Sequence, residues 1–308
     1  MRLPTKDETR KILERVDSRK KMLEASVQSV VQGYTYALFV WGPPGLGKSH
    51  LLTAMLDGLC QGGWRHHTAY STAKALMIAI AESPTSIHLF EDCEKLLKTD
   101  LTASILRAAC GAPGERERWV TYETANEKFR VNFTGGIVIA TNANLARANG
   151  PLQGVASRFR PIQWTLTLEE RLAIISDIAE QGWVRGKIRL TKAETVKVAK
   201  EMLEMVQQLG CDTEVDIRLY TEHALPTFAH CKATGINRWE DVLQSKLIGI
   251  AQTKEESQSA RTGKLEVLAQ MIASGPGTGK EKVADWKAKT GLGQAIYYRH
   301  LKKGKKRS

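Results

Sequence analysis

The stretch Gly42-Pro43-Pro44-Gly45-Leu46-Gly47-Lys48-Ser49 decides the fold. It fits GxxxxGK[ST], follows the apolar run Tyr36-Ala37-Leu38-Phe39-Val40-Trp41 and opens a helical pattern from Ser49 to Leu59. Strand, then loop, then helix is the context that phosphate binding requires. Glycines let backbone N–H groups curl around phosphate oxygens without a Cβ clash. The helix start adds a favourable dipole. The spacing assigns Lys48 to the β- and γ-phosphates and the Ser49 hydroxyl to Mg²⁺. With His50 just after it, this loop is the expected nucleotide-binding segment. A second string, Gly275-Pro276-Gly277-Thr278-Gly279-Lys280, imitates it. There Ser274 falls at the first glycine, Glu281 replaces the hydroxyl residue and no strand precedes, so it reads as a turn between helices.

Around this loop lies a chain of 308 residues, 42% hydrophobic and 25% charged. That is ordinary globular composition, long enough for a sizeable core and about two domains. Disordered, fibrous and disulfide-stapled classes are excluded. There is no apolar run of membrane-spanning length, so no membrane partner is expected. The N-terminus has charge but no apolar segment behind it, unlike a signal peptide. Five cysteines without a CxxC pair indicate free thiols in a reducing cytoplasm.

Apolar strands and helices alternate up to about residue 165. Ile87-His88-Leu89-Phe90 and Gly136-Ile137-Val138-Ile139-Ala140 are two further strands. Such alternation predicts an α/β fold, a parallel sheet with crossover helices. Residues 6–31 precede it as a charged amphipathic helix. From about Thr167 the pattern is helical almost throughout, with the clearest helices over 168–179, 192–208 and 215–228.

A phosphate-binding loop needs an acid at a neighbouring strand end and a group that polarises water. Glu91-Asp92 supplies two carboxylates directly after an apolar strand. The Gly-Pro-Pro-Gly loop and an acid pair some 40 residues on resemble the AAA+ ATPases. The resemblance covers about residues 34–250 and implies ATP and Mg²⁺ as cofactors. Most members have Asp then Glu; here the order is reversed. A strict register gives Glu91 the Mg²⁺ shell and Asp92 the water, and the reversal leaves the two roles open. Asn142, closing the strand from Gly136, resembles the sensor-1 amide near the γ-phosphate, with Asn144 as the alternative. Gly154-Val155-Ala156-Ser157-Arg158-Phe159-Arg160 resembles the segment whose arginine enters a neighbouring subunit's site. Arg158 is the first candidate and Arg160 the second; a guanidinium suits transferring phosphoryl charge. Glu214-Val215-Asp216-Ile217-Arg218 resembles the start of the sensor-2 helix, making Arg218 a γ-phosphate contact in cis.

The resemblance divides the chain into a basic helix (1–33), an AAA+ core (34–165), an all-helical lid (166–252), a linker (253–263) and a C-terminal unit (264–308). That unit resembles the helix-turn-helix of DNA invertases and resolvases. Gly291 would make its turn and Leu292 would point inward, with Tyr297 and Leu301 in its core. Gln294, Tyr298, Arg299 and Lys302 would then face DNA. A basic hairpin docking on its own ATPase domain is the other reading. A second candidate is the hairpin with arms Trp119–Thr124 and Phe129–Phe133, where Arg116, Arg118, Lys128 and Arg130 would meet phosphates. Packing of that hairpin on the core is the competing reading.

The charge distribution favours the C-terminus. The net charge is +12, yet residues 280–308 hold ten Lys/Arg against two Asp/Glu, and residues 1–33 eight against five. The 246 residues between them carry 27 against 26. The expectation is a DNA-associated ATPase that acts at subunit interfaces of a ring or filament. His50-Leu51-Leu52 after the loop resembles replication initiators and helicase loaders of a plasmid, phage or mobile element, and transposition helpers. The partner would be a replicative helicase or a transposase. Two alternatives remain: an ATP-driven assembly switch that hydrolyses little, and a protein remodeller.

Overall fold

The computed structural model describes residues 1–68, 72–93, 99–111, 117–124, 126–142, 155, 158–210, 215–236, 238–245, 247–249, 265, 268–269, 271–274, 276, 278–290 and 294–304. Arg116, Asn144, Cys211, Glu214, the linker 253–263, Gly291 and Leu292 lie outside them, as do the side chains of Arg299 and Lys302. The described residues form two compact units, 1–237 and 238–308.

The first unit opens with helix α1 (Lys6–Val31), started by a Thr5–Glu8 capping box. Then come β1 (Ala37–Trp41), α2 (Lys48–Cys60), β2 (Trp64–Thr68), α3 (Ala73–Glu82), β3 (Ile87–Glu91) and α4 (Asp100–Cys110). A hairpin of β4 (Trp119–Glu123) and β5 (Lys128–Asn132) leads to β6 (Gly136–Thr141) and β7 (Arg160–Gln163). Five strands make one parallel sheet in the order β2-β3-β6-β1-β7. The α/β expectation holds. The central strands β1, β3 and β6 are near-continuous apolar runs because helices cover both faces. The edge strands β2 (Trp-Arg-His-His-Thr) and β7 (Arg-Pro-Ile-Gln) are polar, and the Pro of β7 sits at an edge where its missing N–H costs nothing.

Alternation along the strands builds two cores. Phe39, Phe90, Ile137 and Ile139 pack with α3, α4 and the hairpin, which contributes Val120 and Tyr122. Leu38, Val40, Leu89 and Val138 pack with α1 and α2. The hairpin thus lies on the sheet, as the packing alternative held. Arg118 corrects one expectation: it is 3% exposed and does not meet solvent or a phosphate. Its guanidinium donates to the carbonyls of Ala109 and Gly135, both at 2.5 Å, and stacks 3.9 Å from the Tyr36 ring. Of the other basic residues there, Lys128 pairs with Glu123 at 3.1 Å and Arg130 lies over the Trp119 ring.

After β7, α5 (Leu168–Gln181) and α6 (Lys192–Gln208) each start from a capping box, Thr167–Glu170 and Thr191–Glu194. The expected all-helical lid is interrupted by a hairpin, β8 (Trp183–Arg185) and β9 (Ile188–Leu190). Its turn is Gly186-Lys187, with Gly186 at φ +60°, the left-handed geometry that two-residue hairpins demand. The helix expected over 215–228 is also different. It begins at Ile217, runs through a π-helical turn (Leu219–Ala224) and continues as α7 (Leu225–Thr234). Pro226 has no N–H to donate, which removes one α-helical bond just after the π-turn.

The second unit holds α8 (Gly279–Thr290) and α9 (Gln294–Gly304). Trp286 and Tyr297 are buried with Ala269 and Ile272, and Leu301 packs against them. Gln294, Tyr298 and Lys287 are exposed. Gly279 and Lys280 open α8, where Thr278 donates its N–H to Glu281 Oε2 at 2.6 Å. No helix among the described residues is long and apolar enough to cross a membrane.

The α1–α5 contact carries a testable ion pair. Arg19 on α1 lies 2.6 Å from Glu170 Oε1, and Glu170 is also the capping-box acid of α5. Burial alone would raise the Glu170 carboxyl, but Arg19 and the Thr167 N–H and hydroxyl hold it below its ordinary value. A lowered pKa stabilises the fold above the unfolded value and ceases to do so as pH falls through the folded one. Glu170→Ala should therefore lower urea-unfolding stability at pH 7 by about 1–3 kcal/mol. The difference from wild type should shrink once pH drops below the ordinary carboxylate range.

Candidate nucleotide site

The carboxyl ends of β1, β3 and β6 meet at one place, where ligands bind in open parallel sheets. β1 delivers the loop 42–49, β3 delivers Glu91-Asp92, and β6 delivers Thr141-Asn142. Pro44 to Ser49 of that loop, the two acids and Thr141-Asn142, together with Ile178, Ile217, Arg218, Thr221 and Glu222, line a cavity of about 570 Å³, whereas Gly42 and Pro43 do not reach it. Of the expected residues, the cavity brings together Pro44 to His50, Glu91, Asp92, Asn142 and Arg218.

The loop is held from three sides. Gly42 lies so close to Trp164 that a Cβ there would fall 1.9 Å from the Trp164 carbonyl oxygen. The Trp164 indole N–H donates to the Leu46 carbonyl at 3.1 Å, tying the loop to the segment after β7. Lys48, 8% exposed, donates from Nζ to the carbonyls of Gly42 (2.9 Å) and Pro43 (2.7 Å) and to Asn142 Oδ1 (3.1 Å). Gly47 at φ +74° is the N-cap of α2 and offers no side chain to its first N–H groups. Those donors suit an anion. Ser49 and His50 are exposed at the same helix start.

The two acids differ in environment. Glu91 is the last residue of β3 and 6% exposed. Its Oε2 lies 2.6 Å from His66 Nε2 on the edge strand β2, while its Oε1 is buried with no hydrogen-bond partner among the described residues. Asp92 is exposed, with φ +51°, a left-handed conformation that Asp tolerates better than most side chains. A buried, unpartnered carboxylate oxygen, an exposed serine hydroxyl and a second carboxylate form a hard-oxygen donor set that fits Mg²⁺. The uncapped helix start behind a glycine loop fits a polyphosphate.

His66 was not singled out from the sequence; only the pairing of β2 with β3 brings it to Glu91. Its neighbours on the opposite sheet face explain the other histidines. His88 Nε2–H donates to the Ser83 carbonyl at 2.9 Å, so its Nδ1 accepts from His67 Nε2–H at 3.0 Å. Burial lowers His67 to about 4 and lowers His88 as well, consistent with two neutral rings in a sheet core.

The two expected arginines stand apart. Arg218 lines the cavity, is exposed, and makes no hydrogen bond or ion pair among the described residues. Arg158 lies away from the cavity and donates to the carbonyls of Arg107 (2.7 Å) and Gly111 (3.3 Å) at the end of α4. Arg160 is exposed on β7.

No family model matches the chain, and no curated protein matches it. Matching solved structures include a mutant of RuvB from Thermotoga maritima, 15% identical, covering 94% of this chain and 87% of that one, with a TM-score of 0.42. The Thermotoga maritima RuvB Holliday junction branch migration motor is 14% identical, with coverages of 94% and 83% and a TM-score of 0.39. A DNA replication initiation factor is 14% identical, with coverages of 82% and 68% and a TM-score of 0.39. At these identities and scores the likeness transfers no function, and the site rests on its own geometry.

Proposed function

We propose that the chain is an ATPase of the AAA+ type that binds MgATP in this cavity and works on DNA as an oligomer. One observation carries the reading. The phosphate-binding loop, the acid pair, Asn142 and Arg218 converge on one cavity at the carboxyl edge of a parallel sheet. Bound Mg²⁺ would neutralise phosphate charge beside Ser49 and Glu91. Lys48 already sits with its ammonium at the loop, where a phosphate oxygen would replace a carbonyl acceptor. Asn142 orients water and Asp92 takes its proton. Arg218 contacts the γ-phosphate in cis. In the oligomer, Arg158 exchanges the α4 carbonyls for a neighbour's nucleotide.

The basic C-terminal unit is the proposed DNA contact, through Gln294, Tyr298, Arg299 and Lys302. The role that fits the loop and the tail together is replication initiation or helicase loading, with transposition helper as the alternative. A second reading is favoured by the Glu91–His66 bond. With one carboxylate oxygen committed to His66, hydrolysis would be slow and ATP binding alone would drive assembly.

ATP turnover by the full chain, with and without DNA, tests the enzyme. Lys48→Ala should reduce turnover at least about a hundredfold, and Asp92→Asn by about a hundredfold or more. Arg158→Ala should abolish only the turnover that rises with protein concentration. Turnover indifferent to Asp92→Asn and Arg158→Ala would remove those two roles. DNA binding is tested separately by fluorescence anisotropy across a salt series. Affinity should fall steeply with salt, and deletion of residues 264–308 should cost at least about tenfold and flatten the slope.

A further inference from the structure

The segment that carries Arg218 packs against the phosphate-binding loop at the residue two positions before it. Asp216 Oδ1 accepts from the Leu219 N–H at 2.6 Å, which caps the turn on which Arg218 sits. The other oxygen, Oδ2, rests against the loop: a Cβ built on Gly45 would lie 2.0 Å from it. Gly45 also has φ +78°, so both backbone and space reserve the position for glycine. On either side the chain is fixed. Val215 is fully buried and its carbonyl accepts from Arg171 Nη1, and Ile217 packs into the core shared by α1 and α2. With Val215, Asp216 and Ile217 held, Arg218 is the one side chain of the four left exposed, and it lines the cavity. The π-turn follows at once and adds Thr221 and Glu222 to the same wall.

We propose that Asp216 is a positioning residue: by capping the Leu219 N–H and packing against Gly45 of the loop, it fixes where Arg218 stands relative to the nucleotide phosphates. It touches no reacting atom. Its effect is to align a γ-phosphate contact, and so to make the site prefer ATP over ADP. A carboxylate does this with two oxygens, one for the cap and one for the loop. An amide of the same shape retains the cap acceptor and the contact, whereas alanine loses both. The inference rests on the nucleotide-binding reading above.

The test is the ratio of ATP to ADP affinity, measured by calorimetry with the full chain, Mg²⁺ and a slowly hydrolysed ATP analogue. A general loss of loop structure weakens both nucleotides alike; loss of a γ-phosphate contact weakens only the triphosphate. Arg218→Ala should cut the ratio about tenfold, the size expected for one charge-assisted hydrogen bond. Asp216→Ala should cut it by a similar factor, and the double variant should be no worse than either single one. Asp216→Asn should retain most of the preference. The proposal is overturned if Asp216→Ala weakens ATP and ADP equally, leaves the ratio unchanged, or adds fully to Arg218→Ala. Binding that survives Lys48→Ala unchanged would instead overturn the nucleotide-site reading itself. A ratio unmoved by Arg218→Ala would leave Asp216 nothing to position and would overturn the inference alone.

Discussion

A buried ammonium must be met by oxygens, and the placement of Lys48 organises the site around that need. Among the described residues, oxygens from the end of β1, from the loop itself and from the end of β6 accept from it. To bring them together, β1 and β6 must be adjacent and in register, as they are from Ala37↔Ile137 to Trp41↔Thr141. The loop must also double back tightly enough for its own carbonyls to face its own lysine. Gly45 and Gly47 supply the left-handed backbone for that turn, and Trp164 holds the outer strand side. Removing all of these acceptors would leave a buried charge unmet, a larger cost than losing a surface ion pair. The same economy explains why Asn142 rather than an apolar residue closes β6.

The acid pair shows how one strand end can hold two carboxylates with different freedom. Glu91 is still in the sheet, faces α2, and is clamped by a neighbour on the edge strand. Asp92 is one residue beyond, where the backbone turns left-handed and the side chain reaches solvent. The reversed order of the two residues therefore puts the longer side chain on the strand and the shorter one on the turn. The length favours Glu91 as the fixed member, since its oxygen can reach both the cavity and β2. The polar composition of β2 follows: an edge strand that must offer His66 to one face and His67 to the other cannot be an apolar run.

What was legible in the sequence was local. The loop motif, its strand and helix, the apolar strands β3 and β6 and the long helices all announce themselves within a few residues, through periodicity or capping residues. The pairs that finish the site do not. His66 and Glu91 are 25 residues apart, and Trp164 and Leu46 are 118 apart. Nothing near either one in the chain signals the partner. The hairpin 183–190 escaped because three-residue strands carry almost no alternation and sit between strong helices. The π-turn escaped because its sequence, Leu-Tyr-Thr-Glu-His-Ala, is compatible with ordinary helix; only Pro226 beyond it hints at a changed register. Arg118 is open to two readings because a guanidinium looks the same in sequence whether it meets a phosphate or a carbonyl.

That ambiguity has a wider physical cause. In the first unit, arginines serve repeatedly as backbone clamps: Arg19 donates to Thr165, Arg118 to Ala109 and Gly135, Arg158 to Arg107 and Gly111, and Arg171 to Val215. Several of these acceptors lie at the ends of helices or just before strands, where carbonyls have no ladder partner. Arg118 and Arg158 both bind the last turn of α4, where cations also complement the helix dipole. A planar fork of donors reaches such carbonyls better than a lysine ammonium does. Cations of residues 34–279 serve in two ways: some pair with acids, as Lys74 does with Glu127 and Arg185 with Glu222, and others clamp backbone. Part of that charge is used internally to stitch loops to helices, and a clamp so engaged meets a polyanion only by giving up its carbonyls, as proposed for Arg158. The excess of cations over acids lies at the two ends of the chain, eight against five over residues 1–33 and ten against two over residues 280–308.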